Sequence, residues 1–139
     1  MAKVYRSIDH TGDLGVEVFA EGMAELIRLA SLALSDTLVE ADRIELRLRR
    51  EWSLEAESEE GLLVAQLQEI LFRMDAEGMV FGKYEIELTS PGRLRCRAAG
   101  EPLDRQRHGF KTEIKAVTYH GLRIEEKAGK KTARIIFDV

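Results

Sequence analysis

The sequence predicts an α+β fold, a single-domain two-layer sandwich in which two amphipathic helices cover a mostly antiparallel or mixed sheet. Three observations lead there. Apolar residues recur at helical spacing in two separate stretches, around 23–38 and 63–74, and nowhere else. Stretches before, between and after them alternate apolar and polar residues with a period of two. Turn signals such as Ser90-Pro91-Gly92-Arg93 separate neighbouring alternating stretches, which is the pattern of antiparallel hairpins.

In chain order, residues 4–8 read as a short strand, Asp9-His10-Thr11-Gly12-Asp13 as an acidic loop, and Leu14, Val16, Val18 and Ala20 as one face of a second strand. Met23, Leu26, Ile27, Ala30, Leu34 and Leu38 then line one side of a helix of about four turns. From Ile44 the period returns to two: Ile44, Leu46, Leu48, Trp52, Leu54 and Ala56 share one parity, interrupted at Arg50, which marks either a bulge or a solvent edge.

Ser58 is placed to cap a second helix, with Glu59 and Glu60 at its positive end and Leu63, Leu67, Ile70, Leu71 and Met74 as its apolar stripe. Gly78 is its expected stop. A hairpin follows, with Tyr84, Ile86 and Leu88 on one arm and Leu94, Cys96 and Ala98 on the other. Gly100-Glu101-Pro102 is expected to break regular structure, and residues 103–111, polar and basic, to form an exposed loop or arm. Two strands over 113–120 and 122–126, parted by Gly121, lead through a turn at 128–131 to a last strand. There Ala133, Ile135, Phe137 and Val139 have one parity and Arg134, Ile136 and Asp138 the other.

The bulk numbers agree with one domain spanning residues 1–139. A chain of 139 residues buries roughly two thirds of its unfolded surface. Net charge −4, with 45% hydrophobic and 33% charged residues, describes a globular chain rather than a disordered or membrane one. Cys96 stands alone, so no internal disulfide can form, and its parity points it to the core. With a polar start and no apolar run near ~18 residues, a cytoplasmic protein without membrane association is expected.

Charge is uneven. Arg93, Arg95, Arg97, Arg105, Arg107, Lys111 and Lys115 gather in the second half, either as a solvated face of alternating charges or as a docking patch for an acidic partner. Arg105, Arg107, His108 and Lys111 are the candidates for contact with an acidic partner or RNA, with His108 expected as a surface or partner contact rather than a base.

Two acidic places interrupt apolar stretches. Asp9, His10 and Asp13 surround Gly12, a spacing that suits either local turn hydrogen bonds or a hard cation. Asp138 is either a solvated acid near a frayed end or, if the last strand lies beside the first, a neighbour of Asp13 together with the terminal carboxylate on Val139. An all-oxygen site favours calcium or magnesium, and His10 or His120 as a ligand would shift preference to manganese or zinc. Lys115 reads as a snorkelling surface lysine or as a cation reaching a cleft, and His120 as a hydrogen-bonded structural histidine. No Gly-x-Ser-x-Gly elbow or phosphate-binding glycine loop occurs, so an autonomous enzyme lacks its machinery.

Taken in order, Asp9-His10-Thr11-Gly12-Asp13, Gly100-Glu101-Pro102-Leu103-Asp104, Arg107-His108, the run from Thr112 through Lys115 to His120, and the ending Ile136-Phe137-Asp138-Val139 resemble the archease family over essentially the whole chain. The resemblance implies a small α+β accessory protein that activates an RtcB-type RNA-splicing ligase. It would promote ligase guanylylation from GTP and multiple turnover in tRNA splicing, touching RNA only through the ligase. It further implies metal ligation by Asp13, Asp138 and Val139, with calcium the expected ion and magnesium or manganese as alternatives. A functional lysine would be Lys115, with Asp9, His10 and His120 in matching motifs. Two positions depart from the family pattern: Gly12 replaces a usual alanine, and Lys131-Thr132 stands where an aromatic residue often precedes the last strand. The second is expected to bear mainly on packing or partner contact.

Overall fold

The computed structural model describes residues 5–10 and 13–139, and the side chains of 14–119 and 122–139. The elements are β1 (Tyr5–His10), β2 (Asp13–Ala20), α1 (Met23–Leu38), a 3-10 turn (Ala41–Arg43), β3 (Leu48–Glu55), α2 (Glu59–Glu77), β4 (Met79–Ser90), β5 (Arg93–Pro102), β6 (Ala116–Lys127) and β7 (Lys130–Asp138). The strands form two sheets, β1-β2-β7-β6 and β3-β5-β4, and every pairing is antiparallel. Both helices pack against both sheets, giving the expected α+β sandwich.

Both helices bury the stripes their spacing predicts. Leu26, Ile27, Ala30, Leu34 and Leu38 of α1 and Leu63, Leu67, Ile70 and Leu71 of α2 are all in the core. Ser58 Oγ accepts the Gly61 N–H at 3.0 Å, and Gly78 ends α2 in the left-handed region at φ 67°, so both termini are built by the residue types best suited to them. The core also holds a polar network. Gln66 Oε1 accepts from Trp52 Nε1 at 2.9 Å, and its Nε2 donates to Ser31 Oγ at 3.1 Å and to Cys96 Sγ at 3.5 Å.

Four expectations are corrected or narrowed to one of their alternatives. The alternating row from Ile44 does not all face inward: residues 44–47 lie outside β3, and Leu46 and Leu48 are exposed because β3 is an edge strand and they sit at its open end. Pairing of β3 with β5 runs unshifted from Leu48 to Glu55, so Arg50 marks the solvent edge and not a bulge. Gly100-Glu101-Pro102 continues β5 rather than breaking it. Gly100 stands between Leu48 and Phe81, so close to the neighbouring chain that a Cβ there would lie 1.9 Å from the Val80 carbonyl oxygen. Lastly, 113–120 and 122–126 are not two strands. β6 is continuous from Ala116, and its pairing jumps from Thr118–Ile136 to Arg123–Arg134, so residues 119–122 bulge opposite Ile135 alone. The loop reading of 9–13 is narrowed too, since Asp9 and His10 belong to β1 and Asp13 opens β2, while Thr11 and Gly12 lie outside the described residues.

Candidate functional site

The two acidic ends of the chain lie on neighbouring strands. β2 and β7 run side by side with Leu14 opposite Phe137, which puts Asp13, the residue preceding Leu14, beside Asp138, the residue following Phe137. β6 joins from the other side: Ala116 pairs with Asp138, and the Lys115 N–H donates to the Asp138 carbonyl oxygen at 2.7 Å. Thus the starts of β2 and β6 and the end of β7 gather Asp13, Lys115, Asp138 and Val139 at one end of the four-stranded sheet. Apolar zippering does the positioning, through Val16, Ile135, Phe137 and Val117, all buried immediately below.

Asp138, Val139 and Lys115 are exposed. Among the described residues, neither the Asp138 carboxylate nor the Lys115 ammonium has an ion-pair partner. Asp9 and His10 pair across the β1–β2 ladder with Leu14 and Asp13, on the same side of the molecule. The side chains of Asp9, His10, Asp13 and His120 lie outside the described ones, and the remaining described residues gather no group of three His, Cys, Asp or Glu that could hold a metal. The residue types gathered there nevertheless suit a hard cation, since acidic residues on neighbouring strands offer oxygen donors. His120 sits in the β6 bulge, so the simple parity rule that would set it on the face opposite Lys115 does not apply there.

The basic loop is organised differently from expectation. Glu101, fully buried, accepts hydrogen bonds from Arg107 at 2.7 Å, His108 Nε2 at 2.8 Å, the Glu45 backbone N–H at 2.8 Å and Arg47 at 3.2 Å. The Arg107 guanidinium, foremost among these donors, holds the Glu101 carboxyl far below its ordinary range against the opposing effect of burial. His108 is buried, which corrects its expected place at the surface. Its Nδ1 accepts the Asp104 N–H at 3.0 Å, so the ring proton resides on Nε2 and goes to Glu101. Both nitrogens are occupied, and the ring cannot serve as a base without dismantling the loop. Arg105 stacks on Phe110 at 4.1 Å, and Lys111 Nζ donates to the Asp36 carbonyl at 2.7 Å.

The arginine row of β5 is the solvated face its alternation suggested. Arg93 pairs with Glu55 at 3.1 Å, and Arg95 and Arg97 approach Glu51 at 3.7 and 3.8 Å. Cys96 is fully buried, and burial pushes its thiol up to about 11, so it offers no thiolate nucleophile at neutral pH. Lys131, at the departure from the family pattern, donates to both carboxylate oxygens of Glu59 at 3.1 Å and ties β7 to the start of α2.

The model of the archease protein family matches residues 5–139. The chain belongs to the archease family. It is 41% identical over 121 residues to the protein archease of Thermococcus gammatolerans, covering 85% of each chain. To that of Pyrococcus abyssi it is 36% identical over 141 residues, covering 99% of each. The solution structure of Methanobacterium thermoautotrophicum protein 1598 superposes with a TM-score of 0.82 at 28% identity, over 99% of this chain and all of that one. The crystal structure of an archease from Thermotoga maritima, described as a possible chaperone, matches with a TM-score of 0.67 at 22% identity, over 96% of both chains, and supports the archease fold alone.

Two clusters escaped sequence reasoning. Flanking Gly100 and Pro102 make Glu101 look like part of a chain break. Strand parity would set Glu101 on the exposed face with Arg97, and the usable signal is the cationic pair Arg107-His108 six residues on. Gln66, a polar residue beside Leu67 on the buried side of α2, signalled the core network.

Proposed function

We propose that this archease is an accessory protein of an RtcB-type RNA ligase, and that it presents a divalent cation at the tip of its four-stranded sheet to the ligase active site during guanylylation. The pairing of β2, β7 and β6 supports this reading, because it brings Asp13, Asp138, Val139 and Lys115 to one end of the sheet. Oxygen atoms of Asp13, Asp138 and Val139 would hold the ion, and calcium suits such donors. When bound, the ion supplies neutralisation of charge on phosphate oxygens. Lys115 adds a fixed positive charge beside the same place, anchored through its own backbone on β7.

Asp13→Ala and Asp138→Ala test the reading in a ligase guanylylation assay. Loss of stimulation by both variants, with the fold intact, is expected; full stimulation by both removes the cation from the mechanism. The rival docking role for the 105–111 loop has less to draw on, since Arg105, Arg107 and Lys111 each already have an intramolecular partner. It predicts that binding to the ligase survives chelation and is lost on neutralising those three residues.

A further inference from the structure

We propose that the outer face of the four-stranded sheet binds single-stranded nucleic acid, with Arg123 and Arg134 taking phosphates and Phe19 offering a face for a base. An open groove of about 580 Å³ runs over β2, β7 and β6 there.

Three observations carry the proposal. Arg123 and Arg134 stand directly opposite each other in the β6–β7 ladder, both exposed on the groove side. Like charges in that relation repel, and an anion between them would turn the repulsion into attraction. Arg134 has no ion-pair partner among the described residues, and Arg123 reaches only Glu125, at 3.8 Å. Glu125 is also drawn to Lys127 at 3.5 Å, so it is shared between two cations. Glu17 faces Arg134 from β2 and sets one acidic edge of the groove.

The second observation is Phe19, 40% exposed although it lies in a strand, opposite Thr132 and thus a diagonal neighbour of Arg134. An aromatic face beside guanidinium groups is the combination that takes stacked bases and their phosphates. The third is the absence of main-chain groups. A sheet spends its N–H and C=O groups in its own plane, so an extended peptide laid over this face would leave its backbone polar groups unpaired. A nucleotide strand asks only for cations and an apolar face. This surface lies below the Asp138 tip and is independent of the cation proposed there.

The test is fluorescence anisotropy of 5′-labelled decauridylate with the full chain at 50 mM salt. Wild type should bind saturably, and with two phosphates neutralised the affinity should fall about sevenfold on going to 200 mM salt. The R123Q/R134Q double variant should bind at least about tenfold more weakly, and Phe19→Ala about fivefold or more. Because the double variant removes a repelling pair from an exposed face, its Tm should not fall, which separates lost binding from lost fold. No saturable binding by wild type, undiminished binding by R123Q/R134Q, or displacement of the oligonucleotide by polyglutamate as readily as by unlabelled decauridylate would each overturn the proposal.

Discussion

Leu14 lies directly across from Phe137 in the β2–β7 ladder, and this one pairing brings Asp13 and Asp138, 125 positions apart in the chain, to adjacent places. Acidic residues at adjacent ladder positions repel when both are ionised, and a cation shared between them would remove that repulsion. A ligand that binds only the folded chain stabilises it, by about 2.7 kcal/mol when present at a hundred times its Kd. Calcium is therefore expected to raise the Tm of the wild type by several degrees in a thermal melt, and to leave Asp138→Ala unmoved. An equal shift in both proteins would place the ion elsewhere.

Glu101 and His108 lead to a pH prediction. The Glu101 carboxyl is held well below its ordinary value of 4.5, chiefly by Arg107, so the folded state prefers it ionised more strongly than the unfolded chain does. Its contribution is complete above pH about 4.5, where the unfolded carboxyl has ionised, and is lost progressively as pH falls towards the folded value. Glu101→Ala leaves the buried His108 donor without an acceptor and the Arg107 guanidinium without its carboxylate, and should cost about 3 kcal/mol at pH 7. Urea unfolding between pH 7 and pH 2.5 checks this: the gap between wild type and variant should narrow below pH 4.5. A gap that stayed constant would mean that the charge of Glu101 contributes nothing.

Much of the fold was legible because periodicity reports burial, and the helices bury what their spacing marks. Leu26 to Leu38 and Leu63 to Leu71 needed only a period of 3.6, and Ser58 and Gly78 needed only local backbone chemistry. What failed was non-local. Whether Leu46 and Leu48 meet the core depends on which strand is an edge, and Gly100 and Glu101 stay in a strand because of Val80 and the 103–111 loop. The acids of the candidate site could be nominated from sequence, but their adjacency follows from strand order, which alternation leaves open. His108 was misplaced for a related reason: a polar loop reads as exposed, and only a buried acid underneath it draws the imidazole in.

Gln66 serves as acceptor for Trp52 and donor to Ser31 within a closed core, so its amide satisfies groups that no water reaches. Gln66→Leu keeps the volume and strands the Trp52 N–H, which should lower stability by about 2 kcal/mol and shift Trp52 emission. Chemical denaturation followed by the fluorescence of the sole tryptophan measures both. Stability within about 0.5 kcal/mol of wild type would show that the core closes around an apolar replacement without penalty.

The β6–β7 hairpin closes through Ala128 and Gly129, with Lys127 paired to Lys130 on either side. Both central residues have positive φ, 52° for Ala128 and 80° for Gly129, the combination of a type I′ turn. Gly129 adopts it freely, but an alanine Cβ in that region meets the following carbonyl and costs roughly 1 kcal/mol. Asparagine tolerates the conformation, and Asn-Gly is the preferred pair for this turn. Ala128→Asn is therefore expected to stabilise the protein by about 0.5–1 kcal/mol, seen as a higher midpoint in guanidinium with an unchanged m-value. A lower midpoint would show that the turn is shaped by something other than its own backbone, such as the repulsion between Lys127 and Lys130 across it.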